Sequence, residues 1–111
     1  MAQTDFNTFE LLLMKDQITE AIKTCYDPEI PVNIYELGLI YDVDVAPNGA
    51  VKVKMTLTSP SCPAAQTLPP EVKAKIEGVK GVTSVNVHVV WEPRWDPSMM
   101  TEEAKLTLNM F

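Results

Sequence analysis

Apolar residues recur from Leu11 through Met14, Ile18, Ala21, Ile22 and Cys25 at three- and four-residue steps, the stripe of an amphipathic helix packed on a core. Asn7, followed three positions later by Glu10, forms a capping-box signature, with Thr8 as an alternative cap. Asp27-Pro28 supplies the stop. From Asp27 to Gly38 the period is lost among prolines and a glycine, which predicts a structured loop between helix and sheet. Tyr41, Val43 and Val45 then alternate with Asp42 and Asp44, and Pro47-Asn48-Gly49 turns the chain. Val51, Val53, Met55 and Leu57 next alternate with Lys52, Lys54 and Thr56, so the pair is an antiparallel hairpin with one buried face.

Ser61 is placed to cap a second helix that begins at Cys62, with Pro63 where a missing N–H does no harm, and runs toward Glu77. Pro69-Pro70 within it predicts a kink or two short pieces. Gly78 and Gly81 end it. Val85, Val87, Val89 and Trp91 form the inner face of a third strand, alternating with Ser84, Asn86, His88 and Val90. The strand, helix, strand order sets this strand parallel to the second through a right-handed crossover. After Pro93 and Pro97, Thr101 caps a short helix with Glu102 and Glu103 in its first turn and Ala104 to Leu108 in its body. The expectation is an α/β protein of the α+β type, in the order α-β-β-α-β-α, with a mixed three-stranded sheet and the helices packed on one face. It forms one domain over residues 1–111, with residues 1–8 as a disordered N-terminus.

Composition narrows the function classes. The chain has 111 residues, 46% of them hydrophobic, which suits one core that needs neither disulfide nor structural metal. Fifteen acidic residues against nine basic give a charge of −6 with no basic run, the opposite of a nucleic-acid footprint. The longest apolar stretch, Leu11 to Met14, is far short of a membrane span. The N-terminus has no basic leader or cleavage signal, so the expected location is the cytoplasm. Cys25 and Cys62 form no C-x-x-C pair, which removes zinc ribbons and thioredoxin-like chemistry and leaves two independent thiols.

Cys62 is the leading candidate for chemistry, because the first turn of a helix favours thiolate over thiol, and a thiolate is both nucleophile and metal ligand. The plainer alternative is a buried cysteine acting as a small hydrophobe. Asp27 and Glu29 flank Pro28, and two carboxylates there could bind a cation, polarise water or dock a basic partner. Taken alone, the pair reads equally as a turn cap and a solvated side chain. Topology favours bringing Asp27, Glu29, Thr58 and Cys62 to one sheet edge. His88, the only histidine, has nothing beside it in sequence to complete a metal site. The Trp91 to Trp95 stretch suits either a docking patch or core closure. An iron–sulfur cluster takes four thiolates as a rule, so a chain with two cysteines cannot hold one alone in the usual way; if it touches one at all, it must share it across a homodimer or with a partner, or hold it transiently.

The run from Tyr26 through Asp27-Pro28-Glu29 to Tyr41 resembles the signature of the SufT-like family. The resemblance continues in Met55 to Pro63, in Gly81-Val82, in Trp91 to Met100 and in Glu102-Glu103-Ala104. It implies a compact domain related to the C-terminal domain of NifU and to PaaD, and a part in maturing iron–sulfur proteins without an established catalytic reaction. It also implies an acidic pair at Asp27 and Glu29, a hydroxyl at Thr58 and the reactive cysteine at Cys62, which is the cofactor-binding and metal-binding residue; Cys25 falls outside that pattern. The partners implied are iron–sulfur assembly proteins and client apoproteins. Pro69-Pro70, Arg94 and Asn109 depart from the family pattern. Three other readings use the same residues: a thiol enzyme or persulfide carrier with Cys62 as nucleophile, a PaaD-like maturation factor for one oxygenase, or an interaction module whose loop only docks to other assembly proteins.

Overall fold

The computed structural model describes residues 5–27, 30, 32–58 and 64–108. The first helix, α1 (Thr8–Ile22), starts with the expected capping box: Asn7 Oδ1 accepts from the Glu10 N–H at 2.8 Å, and Glu10 Oε1 accepts from the Asn7 N–H at 2.9 Å. Met14, Ile18 and Ile22 carry its buried stripe. The helix stops at Ile22 rather than running on to Asp27-Pro28. The Lys23 N–H still reaches Thr19 O, but the Thr24 N–H bonds only three residues back, and the tightened turn drops Cys25 into the core outside the helix.

Strands β1 (Ile40–Val45) and β2 (Ala50–Met55) pair antiparallel around the Pro47-Asn48-Gly49 turn. Gly49 is at φ +91, where a side chain would also collide with the Gly81 carbonyl. β3 (Ser84–Val89) pairs parallel to β2, giving the order β1-β2-β3. Val51, Val53 and Met55 are buried on the helix-covered face. Asp42, Asp44, Lys52, Lys54, Asn86 and His88 are exposed on the other, and the α+β composition of three helices and a mixed three-stranded sheet in the order α-β-β-α-β-α is as expected.

Helix α2 (Ala64–Glu77) is continuous through Pro69 and Pro70, so of the two expected forms, a kink or two short pieces, the two pieces do not occur. Leu68, Val72 and Ile76 are all buried at four-residue steps, and this packed face holds the helix across the two missing donors. The proposed cap Ser61 and first-turn Pro63 lie outside the described residues, as do residues 1–4 of the expected N-terminal tail; the Phe6 N–H donates to Pro47 O at 2.8 Å.

Beyond β3 the chain crosses back over the sheet end, through a 3-10 turn at Pro97–Met99, to α3 (Glu102–Thr107). Thr101 caps α3 as expected, its Oγ1 accepting from the Ala104 N–H at 3.2 Å. Trp91 is not on the strand's buried face: it is 42% exposed, because β3 ends at Val89 and the chain has already turned away. Trp95 instead closes the structure, its Nε1–H donating to Leu37 O at 2.7 Å.

Candidate functional site around the Asp27 loop

The loop after α1 is held from both sides. The Ile34 N–H donates to Cys25 O at 2.9 Å, Tyr26 and Asn33 form an antiparallel bridge, and the Val32 N–H closes on Ile30 O at 2.8 Å. The chain therefore leaves the core, turns, and returns beside itself, while Val32, Ile34, Leu37 and Leu39 bury their side chains. Further backbone bonds run from the Leu39 N–H to Ile34 O (3.1 Å) and from the Thr56 N–H to Leu39 O (2.8 Å). Cys25, Ile34, Leu39 and Thr56 are thus strung side by side, with Asp27 two residues beyond one end of the relay and Thr58 two residues beyond the other.

Asp27 is only 4% exposed, an unusual setting for a carboxylate. A buried carboxylate must be compensated by the groups around it, so Asp27 is not a solvated side chain, whereas Glu29, the member of the pair read as solvated, lies outside the described residues. Thr58 is half-buried just past β2. Glu29 and Cys62 lie outside the described residues, so of the four predicted site residues the structure places Asp27 and Thr58.

Cys25 has the opposite character to a reactive thiol. It is wholly buried, and burial above all, then the Glu71 carboxylate beside it, pushes its thiol up to about 11. At neutral pH it is a protonated, inert group. His88 is exposed on β3, opposite Lys54 in the sheet register, and among the described residues no group of three metal-ligating side chains gathers anywhere.

Two groups escaped sequence reasoning because their members are far apart in the chain. Glu71 of α2 reaches Cys25, and Tyr41 of β1 donates to Pro93 O at 2.7 Å, fastening the segment after β3 to the start of β1. Burial raises the Tyr41 phenol, the buried Thr56 hydroxyl beside it pulls the other way, and Asp96 adds to the rise. Thr56, expected on the polar face with Lys52 and Lys54, is instead buried, because β2 ends at Met55 and the alternation stops there.

A sequence model of the family described as "Iron-sulfur cluster assembly protein" matches residues 15–89. The chain is 52% identical over 100 residues to the Fe-S protein maturation auxiliary factor of Porphyromonas gingivalis, covering 90% of this chain and 95% of that protein. It is 37% identical over 84 residues to the Fe-S protein maturation auxiliary factor SufT of Staphylococcus aureus, covering 76% of this chain and 96% of that one. Its fold superposes on the crystal structure of a domain of unknown function from Bacillus anthracis with a TM-score of 0.86 and 32% identity, covering 95% and 100% of the two chains. The matched segment runs from α1 to β3 and contains the whole Asp27 loop; the chain belongs to the family of iron–sulfur cluster assembly proteins.

Proposed function

We propose that this protein is an accessory factor in the maturation of iron–sulfur proteins, which contacts a cluster or its metal transiently through Cys62, with Asp27, Glu29 and Thr58 beside it. The observation that carries the reading is the likeness, over 90% of the chain, to a protein named as a maturation auxiliary factor. The thiol inventory supports the transient part. Of two cysteines in the sequence, Cys25 is buried and held protonated, which leaves Cys62 as the one thiolate this chain can offer to a cluster that takes four as a rule. The remaining ligands come from an assembly protein, a client apoprotein or a second copy, and the cargo moves on when a better set of ligands is met. No bond-making on an organic substrate is required of the site, so the role is that of a non-enzymatic helper. Among the described residues no helix is long and apolar enough to cross a membrane, in keeping with work in the cytoplasm.

The test is anaerobic. Equal amounts of the full chain and of Cys62→Ser are mixed with a donor protein carrying a [4Fe–4S] cluster and with apo-aconitase, and the recovery of aconitase activity is followed. The reading expects the wild-type chain to speed recovery and Cys62→Ser to have no effect; equal acceleration by both would remove the thiol from the account.

A further inference from the structure

The sheet has two edges, and β1 is one of them: among the described residues its backbone bonds run to β2 alone. Along its outer side α1 does not close against it. Two hollows open to solvent, of about 340 Å³ and 200 Å³, follow the strand from Ile40 to Val45, with α1 as the opposite wall and Lys15 lining both. The register shift between Ile40 and Asp42 twists the strand at its start, and from Asp42 to Val45 the pairing with β2 is regular. A regular edge strand facing a helix across a trough is the geometry in which an added strand bonds to the edge and rests its side chains on the helix.

The side chains state what that strand should be. Leu11 and Leu12 line the helix wall of the trough, with Leu12 58% exposed, and Val43 and Val45 are half-buried on the strand side. On the open face Asp42 stands opposite Lys54 and Asp44 opposite Lys52, so charge alternates in columns across the sheet. The next column outward from the aspartates should be positive, since opposite charges on neighbouring strands attract and like charges repel. Asp16 adds a third carboxylate to the trough, against the single cation of Lys15.

We propose that the trough between α1 and β1 receives an extended segment of a partner protein as a fourth strand, with apolar residues turned toward α1 and Lys or Arg at alternate positions beside Asp42 and Asp44. Backbone bonding to the edge supplies affinity, and the alternation supplies specificity. The inference is independent of cluster handling at Cys62, so either can fail without the other.

The probe is the peptide acetyl-(Arg-Val)4-amide, titrated into the isotope-labelled full chain while backbone amide resonances are followed. Saturable shifts are expected at Ile40–Val45 and along the α1 wall from Thr8 to Thr19, with binding at least tenfold weaker for acetyl-(Glu-Val)4-amide. Methylating the nitrogens of all the valines in one version of the peptide, and of all the arginines in another, blocks one strand edge at a time. Pairing through a single edge predicts that one version loses binding and the other keeps it. The Asp42→Lys, Asp44→Lys double variant, with its fold checked by its amide spectrum, should lose most of the affinity. Shifts elsewhere, no saturable shifts, equal binding of the acidic peptide, or equal behaviour of the two methylated versions would overturn the proposal.

Discussion

Cys25 illustrates how a residue's neighbours decide its chemistry. Its folded pKa, about 11, lies above the 9.0 of an ordinary thiol, so the unfolded chain releases this proton first as pH rises. Between about pH 9 and 11 the native state therefore binds more protons than the unfolded state, and stability falls with rising pH. Urea unfolding across this range should show the decline, and Cys25→Ala should flatten it. The same setting predicts that iodoacetamide at pH 8 leaves Cys25 unmodified in the folded protein and modifies it after denaturation. Gly38 is the second residue with a sharp expectation: at φ +82, with the Met99 backbone where a Cβ would sit, Gly38→Ala should cost more than about 1 kcal/mol in urea titrations. Asp27 was legible as a candidate from its place beside Pro28, but its burial was not, because burial depends on how the loop folds back through Tyr26, Asn33 and Ile34.

Elements are fixed by short periods, and here the periods were sufficient: the alternation through Val43 and Val53 and the stripe of Met14, Ile18 and Ile22 all appear where the sequence puts them. What the periods could not carry is what distant residues impose. The continuity of α2 through Pro69-Pro70 depends on the buried Leu68, Val72 and Ile76, and the exposure of Trp91 follows from where the chain leaves β3. The clamp of Trp95 on Leu37 joins residues 58 positions apart, beyond any local signal. Trp95→Phe, which leaves the Leu37 carbonyl without this donor, should lower stability by about 1 kcal/mol and speed amide exchange in the segment returning toward α3. Thr101→Ala should cost a similar amount, about 1 kcal/mol, because Thr101 both caps α3 and donates to Glu36 Oε1.

At the scale of the molecule, one face of the sheet builds the core and the other stays polar, so the places where this protein can meet others are its loops, its open edges and its charged face. A charge of −6 and the carboxylates along β1 direct it toward basic segments. The likeness to maturation factors runs through the Asp27 loop and over nearly the whole chain, while Glu29 and Cys62 lie outside the described residues and rest on the sequence alone. The central claim, maturation through the Cys62 thiol, is best measured in cells lacking the gene and complemented with wild type or Cys62→Ala, by the activity of a [4Fe–4S] enzyme such as aconitase normalised to its protein level. The account predicts a fall in specific activity that wild type restores and Cys62→Ala does not. Unchanged activity in the deletion strain, or full restoration by Cys62→Ala at matched expression, would contradict it.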